Sequence, residues 1–208
     1  KSGEDSWQEV TGVSYISGTL TAKVTGLTPN TSYDFVAYSG EDQSPVVTRT
    51  TESVVPLENA GFEEWCKKED IVYPYADGTA PYWATGNVGA SIVGETLTEG
   101  VSDVRPGSSG KLAARLSSKY ANVFGVGKFA AGNLFVGRFV AIDGMGGIVE
   151  FGRPFNFTAR PKALRFWMKN HEGTINEGSH TTGSDLAKVY CCFTDRKFTV
   201  NTNNESTF

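Results

Sequence analysis

Apolar residues never run for the ~18–20 positions that a membrane-spanning helix requires, so no such helix is expected in these 208 residues. Positive charge is also sparse. No basic stretch exceeds Lys67–Lys68 and the net charge is −4. Phosphate backbones are bound by clustered Lys and Arg, which removes nucleic acid from the expected partners. Cysteine is scarce too: Cys66, Cys191 and Cys192 do not make a disulfide framework. Two readings remain for them, plain buried thiols or one disulfide to Cys66. The two histidines, His171 and His180, lie in "NHEGTINEGSHTTG"; with the cysteines they match no zinc spacing and read as exposed loop residues. The chain has neither an initiating Met nor a signal-peptide core at its start, as expected of a mature secreted chain or an excised piece.

Catalytic motifs are missing as well. "RPGSSGKL" has Gly107, Gly110 and Lys111, two residues short of a P-loop and without the Ser or Thr after Lys. A Gly-Ser turn before a strand is the expectation. "GMGG" at 144–147 follows Asp143 and predicts a hairpin turn, with no dinucleotide-binding context around it. Carboxylates for a glycosidase pair exist at Glu63, Glu64, Glu95, Glu99, Asp103, Asp143 and Glu150. Nothing in their spacing selects two that would face each other.

What is abundant is glycine, at 24 residues, and phenylalanine, at 13. That balance suits a β-rich protein, because aromatic side chains fit pleated surfaces and glycine marks the turns. Strand-like alternation recurs through residues 7–51, and again at 89–97, 111–118, 133–142, 146–151, 162–169 and 187–194. "FEEWCKKED" (62–70) is the best helical candidate. "TESVVPLEN" (51–59) reads as a linker, because Pro56 interrupts any ladder. The expected class is therefore an all-β protein of β-sandwich type, divided into residues 1–52 and 53–208.

"LTPNTSYDFVAY" (27–38) resembles the fibronectin type III family through Leu27, Pro29, Thr31 and Tyr33. That resemblance implies a tyrosine corner at Tyr33. Only the second half of such an immunoglobulin-like domain would fit in 1–52, so the chain is expected to be a piece of a longer protein. Further on come "LENAGFEEW" (57–65), "PYWATGN" (81–87), "SGKLAARL" (109–116), "GNLFVGRF" (132–139) and "GRPFNFTARPKALRFWMKN" (152–170). In this order they resemble a carbohydrate-metabolism domain family of surface or periplasmic proteins in glycan-degrading Gram-negative bacteria. The resemblance implies a larger jelly-roll domain over 53–208, incomplete at its C-terminus. It also implies carbohydrate handling at the cell surface, outer-membrane anchored, or in the periplasm. No catalytic residues come with it. Jelly-roll binding modules often hold a structural calcium near their first strand, which raises Glu63 as a metal ligand.

Sugars offer a C–H face that stacks on aromatic rings and hydroxyls that need hydrogen-bond partners. In "ALRFWMK", strand alternation would put Leu164, Phe166 and Met168 in the core and Arg165, Trp167 and Lys169 on the other face. Trp167 between two cations is a candidate sugar platform, or a ring packed under a loop with the cationic stems around it. Arg115 of "KLAARL" likewise faces away from Leu112, Ala114 and Leu116. Arg138 shares a strand face with Leu134, Val136 and Val140, which predicts a buried ion pair. "YPYADGTAPYWATGNVG" (73–89) is a Pro- and Gly-broken loop crowded with rings. Its Tyr75, Tyr82 and Trp83 either cap a core or face a ligand, and the loop is expected to overhang the face bearing Trp167 and Arg115. The leading expectation is non-catalytic glycan binding through Trp83, Arg115, Trp167, Arg165, Tyr75 and Tyr82, with no required cofactor. The alternatives are an adhesive β-sandwich contacting protein and a glycoside hydrolase with an unassigned carboxylate pair.

Overall fold

A computed structural model describes residues 1–53, 57–123, 126–155, 163–175, 182–204 and 206. It is all-β with several antiparallel sheets, consistent with a β-sandwich. Residues 1–53 fall in one unit and the described residues from Leu57 onward in a second. No helix among the described residues is long and apolar enough to cross a membrane.

The first unit is built from three two-stranded ladders. Strands β1 (Ser14–Ile16) and β2 (Thr19–Thr21) form a hairpin. Its two loop residues, Ser17 and Gly18, both have positive φ, the backbone twist that suits a two-residue hairpin loop. Strand β3 (Ser32–Phe35) is followed by the short hairpin of β4 (Tyr38–Ser39) and β5 (Asp42–Gln43), and then by β6 (Val47–Thr50). Strand β6 returns to pair with β3. The tyrosine-corner contact is present: the Thr28 backbone N–H donates to the Tyr33 hydroxyl oxygen at 2.9 Å. None of the described residues in this unit is buried, because three separate ladders do not enclose a core.

The second unit opens with β7 (Cys66–Lys68) and β8 (Ile71–Tyr73). "FEEWCKKED" is therefore not helical. Its Glu69 and Asp70 both take positive φ, which turns the chain into a two-residue hairpin where a helix would need right-handed backbone. After β9 (Trp83–Ala84) comes a single helical turn, α1 (Asn87–Ala90), and a 3₁₀ turn at Ser91–Val93 that ends at left-handed Gly94. The expected strand at 89–97 is thus displaced, and β10 covers Thr98–Val101. Strands β11 (Ala113–Leu116), β12 (Lys119–Val123) and β13 (Val126–Ala130) follow, with β10 pairing β11 and β12 pairing β13. The Gly-Ser stretch before β11 is indeed a turn, with Gly107 at positive φ.

The largest sheet has the order β16-β15-β14-β9, with β14 at Phe135–Asp143, β15 at Gly146–Phe151 and β16 at Phe198–Asn201. The predicted Gly144–Met145 hairpin turn joins β14 to β15. A register shift between Phe139 and Ala141 leaves Val140 as a bulge. Gly137 is required where it stands: its φ is 154°, and a methyl group there would collide with the Glu150 carbonyl oxygen. One face of the sheet meets the buried core of Ala84, Ala90, Leu97, Val149 and Val200, with the Phe135 and Phe151 rings 4.9 Å apart. On the other face Arg138 makes its predicted ion pair, with both guanidinium bonds to Glu150 at 3.2 Å. It is not a buried pair, since the Arg138 side chain is about half exposed.

Residues 163–169 and 187–194 carry no strand. Leu164, Phe166 and Met168, expected in a core, are all exposed. Alternation makes a strand only when an edge is available to pair with, and no edge among the described residues pairs with these segments. Cys191 and Cys192 are exposed free thiols, contrary to a buried reading, and Cys66 is free and half-buried.

Candidate functional site

The aromatic loop of residues 73–89 is held from behind by two asparagines. Asn59 sits at positive φ, which Asn tolerates better than most residues. Its side-chain amide donates to the carbonyls of Glu64 at 2.9 Å and Pro74 at 3.1 Å, and its oxygen accepts the Glu64 N–H at 3.1 Å. The turn at 58–64 is thereby stitched to the segment Tyr73–Tyr75. Asn87 does the same one layer deeper. It is 2% exposed, donates to the carbonyls of Val72 and Thr98 at 2.8 and 2.6 Å, and accepts the N–H groups of Leu97 and Thr98, both at 3.0 Å. Among the described residues no buried side-chain nitrogen or oxygen lacks a partner.

Asn59 and Pro74, which it bonds, line a cleft of about 280 Å³ whose walls also include Glu58, Glu64, Tyr75, Thr79, Tyr82 and Trp83. Trp83 enters it from β9, fixed by its indole N–H donating to the Glu58 carbonyl at 2.7 Å. Phe62 and Tyr82 meet its ring edge-on, with centroids 5.2 and 5.7 Å away. Tyr73 lies 5.4 Å from Tyr75. Burial pushes the Tyr82 phenol above its ordinary value, and the nearby Glu58 carboxylate adds to the effect. Burial does the same at Tyr75, with Cys66 contributing next. At neutral pH both phenols thus keep their protons and can donate hydrogen bonds. The rings serve as walls of the cleft and as packing partners together.

The structure groups Tyr75, Tyr82 and Trp83, but Arg115, Arg165 and Trp167 do not line this cleft. Arg115 pairs with Glu99 directly across the β10–β11 ladder. Trp167 is 79% exposed, with the Arg105 guanidinium 4.7 Å from its ring centroid. Lys169 reaches Asp103 at 2.8 Å, so this segment meets the loop between β10 and β11. Arg165 is exposed. The expected common face is therefore not a single strand face.

Glu63 is committed elsewhere. Its carboxylate accepts the backbone N–H groups of Lys111, at 2.9 Å, and Leu112, at 3.1 Å. Calcium wants six to eight oxygens, and no group of three or more His, Cys, Asp or Glu among the described residues could hold a metal ion.

Sequence reasoning missed Glu58 as a cleft carboxylate and both asparagines as anchors. The Asn-x-Gly turn chemistry around Asn59 was the available signal. Asn87 offered none beyond being a lone amide between glycines and apolar residues.

Residues 61–207, well over half of the chain, match the family described as "Putative carbohydrate metabolism domain". The chain belongs to this family. The carbohydrate-metabolism domain so defined contains β7 through β16, together with Tyr75, Tyr82 and Trp83. Glu58 and Asn59 lie just before it. No curated protein and no solved structure gives a match.

Proposed function

We propose that this carbohydrate-metabolism domain binds a glycan without cleaving it, in support of glycan utilisation at the cell surface or in the periplasm of a Gram-negative bacterium. The observation that carries the reading is the cleft itself. Tyr75, Tyr82 and Trp83 supply apolar ring surface, and Thr79, Glu58 and Glu64 supply polar groups, within 280 Å³. That combination suits a ligand with a C–H face and a hydroxylated rim. The volume lies just below the usual range of ligand pockets, roughly 300–1,000 Å³, so the ligand is one or two sugar units, or the end of a chain. Trp167, with its exposed ring and Arg105 against it, is a second platform. The Tyr33–Thr28 contact supports a fibronectin-like origin for residues 1–52.

The test is a titration of oligosaccharides followed by tryptophan fluorescence, with product analysis alongside. Binding without cleavage is expected. Tyr82→Ala should weaken it by about 0.5–1.5 kcal/mol, the worth of one aromatic contact beyond area burial. Cleavage products would favour the hydrolase reading. Binding lost in Trp167→Ala but kept in Tyr82→Ala would move the site to the second platform.

A further inference from the structure

We infer that residues 163–174 and 184–194 are the two arms of a β-hairpin whose closure carries Trp167 to Cys191, at the edge of the aromatic cleft. The pairing of the arms stands by itself; its bearing on a ligand rests on the glycan-binding reading above. One contact already joins the arms, an isolated antiparallel bridge between Thr174 and Ser184. An antiparallel register steps back along one arm for each step forward along the other, so this bridge sets every further pair. Trp167 falls opposite Cys191, Phe166 opposite Cys192 and Met168 opposite Tyr190. The alternation agrees with that register. Leu164, Phe166 and Met168 would share one face with Tyr190, and all four are exposed while the arms are apart.

Among the described residues, 163–170 and 186–193 make no backbone–backbone hydrogen bond. Each arm thus presents a row of free N–H and C=O groups, which is a template for strand pairing. The contacts that hold the first arm away are weak. Lys169 reaches Asp103 at 2.8 Å with both side chains mostly exposed, and exposed ion pairs contribute little. The Arg105 guanidinium lies over a Trp167 ring that is itself in solvent. The second arm is better fixed. It runs into β16, which pairs with β15, and its Phe193 ring lies 5.1 Å from Phe155. Cys191 on this arm is also close to the cleft: after burial and Glu58, its thiol is the next influence raising the Tyr82 phenol. Closure therefore moves the first arm onto the second. Directly opposed side chains share a face, so the Trp167 ring arrives with Cys191 beside Tyr82. That adds ring surface to a cleft of only about 280 Å³.

Disulfide trapping tests the register. In a chain carrying Cys66→Ser and Cys192→Ser, Trp167→Cys is oxidised against Cys191 by glutathione disulfide, which is reduced to two thiols as the protein's two thiols form one S–S bond. Directly opposed residues have Cα atoms about 4.5–5.5 Å apart, inside the disulfide range of about 4.4–6.8 Å. Lys169→Cys in the same background lies on the same face but diagonal to Cys191, so Trp167→Cys should crosslink at least about tenfold faster. Equal rates, no bridge in either chain, or a faster Lys169→Cys bridge overturns the hairpin. A second chain, with its native cysteines changed to Ser, joins Met168→Cys to Tyr190→Cys and keeps Trp167. Once joined, its Trp167 emission, taken as the difference from the same chain with Trp167→Phe, should lose most of its acrylamide quenching. Tyr82→Ala should restore part of that quenching. Unchanged quenching on joining, or no effect of Tyr82→Ala, overturns the placement beside Tyr82. Unchanged urea midpoints of the reduced chains would confirm intact folding. Oligosaccharides bound by the parent protein should bind the joined form about tenfold more tightly, the gain when a state populated about one-tenth of the time is made permanent. Weaker binding by the joined form overturns the role of closure at the cleft. If neither form binds any oligosaccharide, the glycan-binding reading falls, and the trapping and quenching results still decide the hairpin.

Discussion

Asn87→Ala should be among the most damaging single substitutions in the second unit. The wild-type side chain makes four hydrogen bonds, to the carbonyls of Val72 and Thr98 and from the N–H groups of Leu97 and Thr98, at a site that is 2% exposed. Alanine removes all four and fills none of the space. Each net bond contributes about 1 kcal/mol, and a buried group left without a partner costs about 1–3 kcal/mol. Some of the orphaned groups will find water, so a total of about 3–5 kcal/mol is the reasonable expectation. Domains are stable by only about 5–15 kcal/mol, so much of the folded population is at risk. Urea denaturation followed by tryptophan fluorescence would read the loss as a shift in midpoint at constant slope. Asn87→Asp keeps the two acceptor contacts and loses both donors, so it should still be strongly destabilising. A loss below about 1 kcal/mol for Asn87→Ala would refute the reasoning, because it would mean that β8 and β10 are held without the bridge.

Two further outcomes follow from the ion pairs and from the turn at Glu63. The Arg138 hydrogen bonds, joined by the Lys197 bond and opposed by burial, hold the Glu150 carboxyl below its ordinary value. A lowered folded value means that the unfolded chain takes up the proton first. The stabilising contribution is therefore complete above the ordinary glutamate range, roughly pH 4–5, and is lost as pH falls through the lowered folded value. Glu150→Gln should accordingly lower the melting temperature at pH 7 and flatten its dependence on pH below 5. An unchanged acid limb would remove Glu150 from the account. Glu63→Gln should cost about 1 kcal/mol, for weakened bonds to the Lys111 and Leu112 amides, equally with and without a chelator. A chelator-dependent fall in the parent protein's melting temperature would return a calcium to this turn.

The legible parts of the fold were those written in local chemistry. The strand at 146–151 was readable because its alternation follows a Gly-rich turn, and β15 spans Gly146–Phe151. Tyr33 was readable because a short motif fixes which backbone group its hydroxyl meets. Reading failed where the deciding partner lay far along the chain. "FEEWCKKED" has helix-favouring glutamates and lysines, yet pairing between Cys66 and Tyr73 outweighed propensity, which carries only tenths of a kcal/mol per residue. The Leu164, Phe166, Met168 alternation has the period of a buried strand and no partner among the described residues to bury it.

The candidate site shows the same division. Its rings were visible in the sequence because so many aromatics in a Pro- and Gly-broken loop need an explanation. The grouping of Tyr75, Tyr82 and Trp83 follows from local features, the loop itself and the short β9 strand. Arg115 and Trp167 were attached to them by strand parity, and parity says which way a side chain points without saying what it points at. Arg115 points at Glu99 across one ladder and Trp167 lies over Arg105. What joins the two sides of the cleft is the Asn59 amide bonding to backbone 5 and 15 residues away, while Asn87 bridges the backbone on either side of the loop. A side chain that replaces missing backbone partners in this way leaves no periodicity behind it. The chemistry that gathers the walls is therefore less visible in the sequence than the walls themselves.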